Sequence, residues 1–285
     1  MGMFVETEFG PVNYTVDGSG PTVILIHGFG CSLAQWQHTI APLVETGLQV
    51  IALDLPGFGR SYLPGTPISV VSYRDVIISV MDKLGIPTAS LVGSSMGGLV
   101  SWLVAGHVPE RVSALVLVSS AGAPREHRSS LPSRRQHPKK ASAIGGWALS
   151  LFAFLTRSTL WDPLTRRMLS PLLERAFGET PASADAIEVL FQGAKQARIV
   201  FRRRLRTEDI ENTTGILESI RCPTMLMWGA QDQVVPMHQM DFFIDHLPLA
   251  KLKVYFGVGH LPMFEVPCEF GQDLCLFLRK ALSVT

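Results

Sequence analysis

The chain is poor in the features that mark several specialised protein classes. Its 285 residues contain only four cysteines, Cys31, Cys222, Cys268 and Cys275, whose spacing matches no metal site. So few cysteines in a chain of this length favour reduced thiols over a disulfide framework, and we therefore expect a cytoplasmic protein. The net charge is +1, so the chain as a whole has no field that would attract nucleic acid.

The sequence also shows no pattern typical of a membrane span, a signal peptide or a cofactor site. The most apolar stretch, residues 144–155, is too short to cross a membrane and is followed by Arg157. The first six residues contain neither the basic segment nor the apolar segment of a signal peptide. The glycine-rich turns lack the frame of a nucleotide-binding loop, and no histidine and carboxylate cluster has metal-ligand spacing. We expect no metal and no organic cofactor.

What the chain does contain is an alternation of strand and helix patterns. Hydrophobic residues make up 47% of the sequence, enough for the core of one large domain. Continuous apolar runs predict strands buried on both faces, and 3.6-residue periods between them predict helices, so we expect a mostly parallel sheet. After a hairpin over 3–17, strands are predicted at 22–26, 49–53, 89–92, 113–118, 223–229 and 252–256. Helices are predicted at 34–44, 70–84, 99–105, 237–247 and 269–282.

The alternation stops over residues 124–214. This stretch holds 16 Lys and Arg against 9 Asp and Glu, a net charge of +7, whereas the rest of the chain has a net charge of −6. Its periodicities are helical, over 144–155, 161–173 and 184–200. We therefore predict a core domain formed by residues 1–123 and 215–285, and a helical cap formed by residues 124–214.

The segment Gly93-Ser94-Ser95-Met96-Gly97 joins a predicted strand to a predicted helix. A strand that turns directly into a helix at Gly-x-Ser-x-Gly holds the middle serine at the tip of a tight turn. Larger side chains at the outer positions would collide with the strand and the helix. The serine hydroxyl then projects beside the free N–H groups of the helix N-terminus. We interpret Ser95 as a nucleophile; the alternative is an ordinary glycine-rich turn.

A nucleophilic serine needs partners, and the sequence offers two. The hydroxyl requires a base, normally histidine, and a carboxylate that orients this base. Both should follow parallel strands at the sheet edge where Ser95 lies. Asp232 follows the predicted strand 223–229, and His260 follows the predicted strand 252–256. The expected triad is Ser95, Asp232 and His260.

Five segments, in this order, resemble the motifs of the α/β-hydrolase superfamily. They are His27-Gly28-Phe29-Gly30 and residues 54–61, 93–98, 229–236 and 259–262. The resemblance covers the chain from about residue 20 onward and leaves only the predicted insert unmatched. It implies an α/β fold with a mostly parallel eight-stranded sheet flanked by helices. It also implies one antiparallel edge strand and a helical cap inserted between strands six and seven.

The resemblance also implies roles for single residues. Ser95 would be the nucleophile, His260 the general base and then the general acid, and Asp232 the acid that orients His260. The backbone N–H groups of Phe29 and Met96 would form the oxyanion hole. Phe29 and Met96 would both act through backbone N–H groups, so their roles do not depend on their side chains.

Branches of this superfamily differ in their nucleophile and their acid. Dehalogenases and epoxide hydrolases carry Asp where this chain has Ser95, so the resemblance favours acyl chemistry. Some members carry the acid after the sixth strand, but residues 119–122 include no carboxylate. We expect hydrolysis of carboxylic esters through an acyl-enzyme. Two alternatives stay open: a carbon–carbon bond hydrolase of ring-cleavage dienones with the same triad, and a non-catalytic ligand-binding member.

The cap is expected to select the substrate. Its apolar stretch 144–155 predicts a preference for hydrophobic esters with short- to medium-chain acyl groups. Trp147, Phe152 and Phe154 are candidate pocket residues, with packing inside the cap as their alternative role. The basic run 202–206 predicts a solvated face or salt bridges, with weak association at a membrane surface as the alternative. The expected partner is a small ester, and neither nucleic acid nor a membrane span is expected.

Overall fold

The computed structural model describes residues 2–63, 65, 68–124, 174–202 and 214–283. Within these ranges the chain forms one sheet of eight strands. The strands are β1 (Met3–Thr7), β2 (Gly10–Asp17), β3 (Thr22–Ile26), β4 (Gln49–Leu53), β5 (Ala89–Ser94), β6 (Val112–Val118), β7 (Thr224–Gly229) and β8 (Lys251–Tyr255).

The strands lie in the order β1-β2-β4-β3-β5-β6-β7-β8. Strands β3 to β8 are parallel, whereas β2 pairs antiparallel with both β1 and β4. The prediction of a mostly parallel eight-stranded sheet is confirmed. The expected position of the antiparallel strand was wrong, because the N-terminal hairpin adds β1 outside β2 and moves β2 one place in from the edge.

Helices flank the sheet in the described part of the chain. They are α1 (Ile40–Glu45), α2 (Val70–Lys83), α3 (Met96–His107), α4 (Ala184–Arg202), α5 (Thr214–Leu217), α6 (Met240–His246), α7 (Pro262–Glu265) and α8 (Pro267–Leu282). The single helix predicted over 34–44 is divided into a 3₁₀ turn, Leu33–Trp36, and α1. The division follows from Pro42, which has no N–H to donate to the residue 38 carbonyl and whose ring would clash with it.

The hydrophobic core lies on both faces of the sheet. In β3, Ile24 and Ile26 pack into the cluster that includes the buried side chains of α2 and α3. Val23 and Leu25 pack into the cluster on the opposite face, together with α8. All four side chains are fully buried. Because neighbouring residues of a strand face opposite sides, burial on both faces requires the continuous apolar run seen in the sequence.

The insertion lies between β6 and β7, as predicted. Residues 119–223 connect these strands, and α4 occupies part of this connection, where the periodicity over 184–200 predicts a helix. The helices predicted over 144–155 and 161–173 fall outside the described residues, as do Trp147, Phe152 and Phe154. The exact boundary between core and cap stays a prediction.

Candidate active site

Ser95 is the single residue between the end of β5 and the start of α3. Its backbone has φ 53° and ψ −114°, a conformation that residues other than glycine rarely adopt. A Cβ at Gly93 would overlap the Gly97 carbonyl oxygen, and a Cβ at Gly97 would overlap the Ile26 carbonyl oxygen. Helix α3 therefore packs this closely on β5 and on β3 only because both outer positions of the motif are glycine.

Backbone hydrogen bonds hold the tip of this turn in place. The Ser95 N–H donates to the Val118 carbonyl at 2.9 Å, and the Ser95 carbonyl accepts from the N–H groups of Leu99 at 3.1 Å and Ala121 at 3.0 Å. The neighbouring Ser94 is fully buried, whereas Ser95 is half-buried at the tip. Of the two serines, Ser95 is the one that a substrate can reach.

Asp232 and His260 form a buried hydrogen-bonded pair. Asp232 Oδ2 lies 2.7 Å from His260 Nδ1, and Asp232 Oδ1 accepts from the N–H groups of Val234 and Val235 at 2.8 Å each. A carboxylate oxygen can only accept, so Nδ1 carries the proton and Nε2 is left as the basic nitrogen. This is the tautomer that a general base needs.

All of these side chains lie at one edge of the sheet. Ser95 follows β5, Asp232 follows β7 and His260 follows β8, and the carboxyl ends of parallel strands meet at the same edge. The structure brings Asp232 and His260 into contact, whereas Ser95 and His260, both described, share no direct hydrogen bond. In unliganded enzymes such bonds are often long and tighten when substrate binds.

The turn after β3 lies directly beside Ser95. A Cβ built on Gly28 would be 3.3 Å from the Ser95 Cβ. The Gly28 carbonyl accepts from His27 Nδ1 at 2.7 Å and from the Cys31 N–H at 3.1 Å. The Phe29 N–H, on the other side of the same peptide, donates to no other described residue. The N–H of Met96, at the first position of α3, also has no partner within the helix.

His27 links this turn to the loop after β4. Its Nε2 accepts from the Leu55 N–H at 2.9 Å, so its proton lies on Nδ1 and is donated to Gly28. Burial lowers the pKa of His27 below its ordinary value, although the nearby Asp54 acts in the opposite direction. His27 is therefore a neutral side chain that shapes the backbone.

Asp54 holds the loop after β4 against the same turn. Its Oδ1 accepts from the Leu33 N–H at 2.7 Å, and its Oδ2 accepts from Asn13 Nδ2 at 2.7 Å and from the Arg60 N–H at 2.8 Å. The carboxylate is almost fully buried and compensates its loss of hydration through these donors. The motif over residues 54–61 thus supports the structure around the site and supplies none of the candidate catalytic groups.

The family model described as the alpha/beta hydrolase fold matches residues 21–267. The chain belongs to this family. The match spans all of the elements described above except the N-terminal hairpin and most of α8. Family membership, together with the hydrolases among the relatives, supports a hydrolytic enzyme.

Similar proteins carry several activities. The dihydrolipoyllysine-residue acetyltransferase component of the acetoin cleaving system of Pseudomonas putida is 29% identical over 272 residues, 94% of this chain. The chain spans 66% of that protein, just under two thirds of its length. A 2-hydroxy-6-oxononadienedioate/2-hydroxy-6-oxononatrienedioate hydrolase of a Pseudomonas species is 26% identical over 294 residues, covering 97% of this chain and 96% of the relative.

Among solved structures, a bacterial membrane phospholipase A is similar, with a TM-score of 0.79 and 27% identity. The match covers 99% of this chain and 86% of that protein. A meta-cleavage product hydrolase from Pseudomonas fluorescens, with a TM-score of 0.73 and 24% identity, shares the fold. The fold is therefore common to neighbours that cleave different bonds.

Glu265 is a buried carboxylate that sequence reasoning missed. It accepts from the N–H groups of Gly259 at 2.8 Å and Leu261 at 3.1 Å, which flank His260, and from the Gly178 N–H at 2.6 Å. Burial raises the pKa of the Glu265 carboxyl group, the three N–H donors oppose this rise, and the charge of Asp232 adds to it. Its position five residues after His260 follows no periodicity that would have singled it out.

The insertion packs directly on the His260 loop. The His260 N–H donates to the Ala176 carbonyl at 2.6 Å, and the Glu179 N–H donates to the Gly257 carbonyl at 2.7 Å. A Cβ at Gly178 would overlap the Gly257 carbonyl oxygen, so the two backbones approach as closely as glycine permits. The segment of the insertion before α4 is thus part of the framework that holds the candidate base.

Helix α4 closes the other side of the site. A Cβ at Gly193 would overlap the Gly30 carbonyl oxygen, which places the helix against the turn that contains Phe29. Gln196 donates to the Gly59 carbonyl and accepts from the Gly59 N–H, both at 2.6 Å. Val200 is buried over Gly57 in the same loop. The insertion therefore contacts both loops that shape the candidate oxyanion hole.

Cys31, in the turn after β3, carries a buried free thiol. Burial raises the pKa of the Cys31 thiol to about 12, so it behaves as a small packed side chain. Within the described ranges, no group of three or more His, Cys, Asp or Glu side chains is arranged to hold a metal ion. None of the described helices combines the length and the apolarity needed to span a membrane.

Proposed function

We propose that this chain is a serine hydrolase that cleaves carboxylic esters through an acyl-enzyme, with Ser95, His260 and Asp232 as its triad. The observation that carries the proposal is the placement of Ser95. It stands alone at a strained strand-to-helix turn, on the sheet edge that holds the buried Asp232–His260 pair. Strained backbone of this kind persists where the surrounding structure holds it, often at active sites.

The reaction follows from the roles of these groups. The Ser95 hydroxyl attacks the ester carbonyl while His260 Nε2 takes its proton, and Asp232 stabilises the imidazolium that forms. The N–H groups of Phe29 and Met96 bind the oxyanion of the tetrahedral intermediate. When this intermediate collapses, His260 gives the proton to the leaving alcohol. Water, activated by the same histidine, then releases the carboxylic acid and regenerates Ser95.

The substrate class is proposed from apolar surfaces around the site. Phe29 packs edge-on against Phe58, with ring centroids 5.4 Å apart, and Met96 and Leu261 are buried beside the catalytic candidates. The apolar stretch 144–155 lies in the same insertion that packs over the site. The apolar side chains beside the site and the apolar composition of the insertion favour hydrophobic esters with short- to medium-chain acyl groups. The similarity to a membrane phospholipase A, an enzyme that cleaves esters of lipids, is in keeping with this preference.

Labelling with a fluorophosphonate probe tests the nucleophile. The wild-type protein is expected to react covalently at Ser95, and Ser95→Ala is expected to lose the label while it retains its melting temperature. A p-nitrophenyl ester series from acetate to decanoate then measures the chain-length preference. Absence of labelling would contradict the proposal and would favour a non-catalytic, ligand-binding member of the fold.

Carbon–carbon bond hydrolysis of ring-cleavage dienones is the second candidate. It is favoured by the 2-hydroxy-6-oxononadienedioate/2-hydroxy-6-oxononatrienedioate hydrolase, which matches over 97% of this chain. A 2-hydroxy-6-oxo-6-phenylhexa-2,4-dienoate hydrolase of Comamonas testosteroni is also 26% identical over 282 residues. Loss of the dienone absorbance, measured beside the ester series with the same enzyme, separates the two. A kcat/KM for the dienone that exceeds the best ester value by tenfold or more would favour this candidate.

A further inference from the structure

Gln35 contacts three of the segments that surround the candidate site. Its side-chain Oε1 accepts from the Gly28 N–H at 2.9 Å, in the turn after β3. Its Nε2 donates to Ser94 Oγ at 2.9 Å, one residue before the candidate nucleophile, and lies 3.6 Å from Met263 Sδ, in the helix after His260. The side chain is almost completely buried, as are Ser94 and Met263.

The orientation of the Gln35 amide is fixed by chemistry. The Gly28 N–H can only donate, so the atom that faces it must be the amide oxygen. The amide nitrogen then faces the Ser94 hydroxyl, which can accept. The 3₁₀ turn that carries Gln35 is itself held, because the Leu33 N–H donates to the buried Asp54 carboxylate. Gln35 is therefore a rigid link between the turn after β3 and the end of β5.

This link holds one side of Gly28, the residue whose carbonyl shares a peptide plane with the Phe29 N–H. The N–H of Gly28 is held by Gln35, and its carbonyl is held by His27 and by the Cys31 N–H. A trans peptide points its N–H away from its carbonyl. With the Gly28 carbonyl fixed, the N–H of the next residue, Phe29, points in one direction only, and no other described residue accepts from it.

We propose that Gln35 is a positioning residue that sets the Phe29 N–H of the oxyanion hole relative to Ser95. The inference rests on the proposed function, because it needs an oxyanion at this place. The oxyanion exists in the transition state and not in the bound ester, so loss of the link lowers kcat and leaves KM nearly unchanged. A donor displaced by a fraction of an ångström is expected to cost about 10- to 100-fold in kcat.

Two substitutions of similar size test this role. Gln35→Met fills nearly the same volume but cannot accept from the Gly28 N–H. Gln35→Glu keeps an acceptor for Gly28, and its second oxygen bonds to the Ser94 hydroxyl in either protonation state. We expect Gln35→Met to lose about 10- to 100-fold in kcat on the best p-nitrophenyl ester, and Gln35→Glu to recover most of that loss.

The matched control is Val80→Ala, a cavity mutation in the fully buried face of α2. It is expected to lower the melting temperature as much as Gln35→Met or more, with kcat unchanged. A loss of kcat in the control equal to that of Gln35→Met would assign the effect to stability and overturn the proposal. Equal kcat values for Gln35→Met and the wild type would also overturn it.

Amide hydrogen exchange over residues 27–31 tests the same link without any turnover. Exchange in this segment is expected to be faster in Gln35→Met than in Gln35→Glu or the wild type. If the wild type hydrolyses no ester while exchange behaves in this way, the proposed function fails and the link stands. If exchange is the same in all three proteins, the inference fails whatever the reaction.

Discussion

At the residue scale, the candidate site is held by buried polar side chains whose donor and acceptor atoms have hydrogen-bond partners. One carboxylate oxygen of Asp232 accepts from His260, and the other accepts from two backbone N–H groups. Glu265 accepts three N–H groups, and Gln35 bonds to two segments of the backbone framework. A buried donor or acceptor left without a partner costs about 1–3 kcal/mol. Substitutions that leave one of these donors or acceptors without a partner should therefore disturb the site even when they preserve its volume.

Asp232→Asn is expected to lower kcat by about 10³- to 10⁴-fold. If the amide NH₂ faces His260, it forces the proton onto Nε2, where it blocks acceptance of the Ser95 proton. If the amide oxygen faces His260, the charge that stabilises the imidazolium is still lost. Steady-state kinetics on the best ester measures the effect, with Ser95→Ala as the baseline. A loss of less than tenfold would contradict the assignment of Asp232.

Glu265 is expected to produce a pH dependence of stability. Its pKa is raised in the folded state, mainly by burial, so the folded protein keeps this proton at pH values where the unfolded chain has released it. The free energy of unfolding contributed by this group therefore falls as pH rises from about 4.5, the ordinary value for Glu, through the raised pKa.

Urea unfolding of the wild type and Glu265→Gln between pH 4 and pH 8 measures this contribution. Other carboxyl groups titrate in both proteins, so the difference between the two unfolding free energies isolates Glu265. We expect the advantage of the wild type to shrink as pH rises. A difference that grows with pH would mean that the three N–H donors outweigh burial.

At the element scale, glycine contacts set how closely the chain segments approach each other. The close approach of α3 to β5 depends on Gly93, and its close approach to β3 depends on Gly97. In the same way, α4 reaches the turn after β3 because Gly193 leaves room for the Gly30 carbonyl. A helix of this length would normally be stabilised by alanine in its interior, so the glycine indicates that packing outweighs helix propensity here.

Gly193→Ala is expected to destabilise the protein by about 1–3 kcal/mol, because its Cβ would force α4 off the turn. Gly215→Ala in α5 is the matched control, since nothing lies within 4 Å of the added Cβ. For the control we expect no loss of stability, and helix propensity favours a gain of up to about 1 kcal/mol. Thermal unfolding of both variants measures the difference, and equal stability would contradict the close contact of α4.

Sequence patterns predicted the elements that are buried on both faces. Strands β3, β4, β6 and β7 are mostly apolar runs because helices cover both sides of the sheet, so burial marks neighbouring residues and not only alternate ones. The position of β2 inside the sheet has no such signature, because an edge strand and the strand next to it show the same alternation of apolar and polar residues. The break between the 3₁₀ turn and α1 depends on Pro42. The spacing of apolar residues, from which one helix over 34–44 was predicted, does not show this effect.

At the scale of the whole molecule, the insertion and the core share one hydrogen-bonded framework. Ala176 and Gly178 from the insertion bond to the loop that carries His260, partly through Glu265. Gly193 and Gln196 bring α4 onto the turns on the other side of Ser95. Movement of the insertion would therefore change the position of the candidate base as well as access to the site.

Glu265→Met should reveal this coupling through hydrogen exchange. We expect faster amide exchange over residues 176–179 and 257–261 together, because Met leaves the N–H groups of Gly178, Gly259 and Leu261 without an acceptor. Exchange in β3 is expected to be unchanged and provides the internal control. Faster exchange in only one of the two segments would show that Glu265 does not join them. Mass spectrometry of peptic peptides resolves the three regions.

The sequence by itself determined the fold family, the order of the strands along the chain and the loops that carry Ser95, Asp232 and His260. These features leave local marks: apolar runs from burial on both faces, and glycines where a turn admits no side chain. Only the tertiary structure decided that Asp232 contacts His260, that Gln35 and Glu265 join separate loops, and that β2 lies inside the sheet. Such contacts join residues far apart in the chain, and no periodicity records which distant groups a buried side chain will meet.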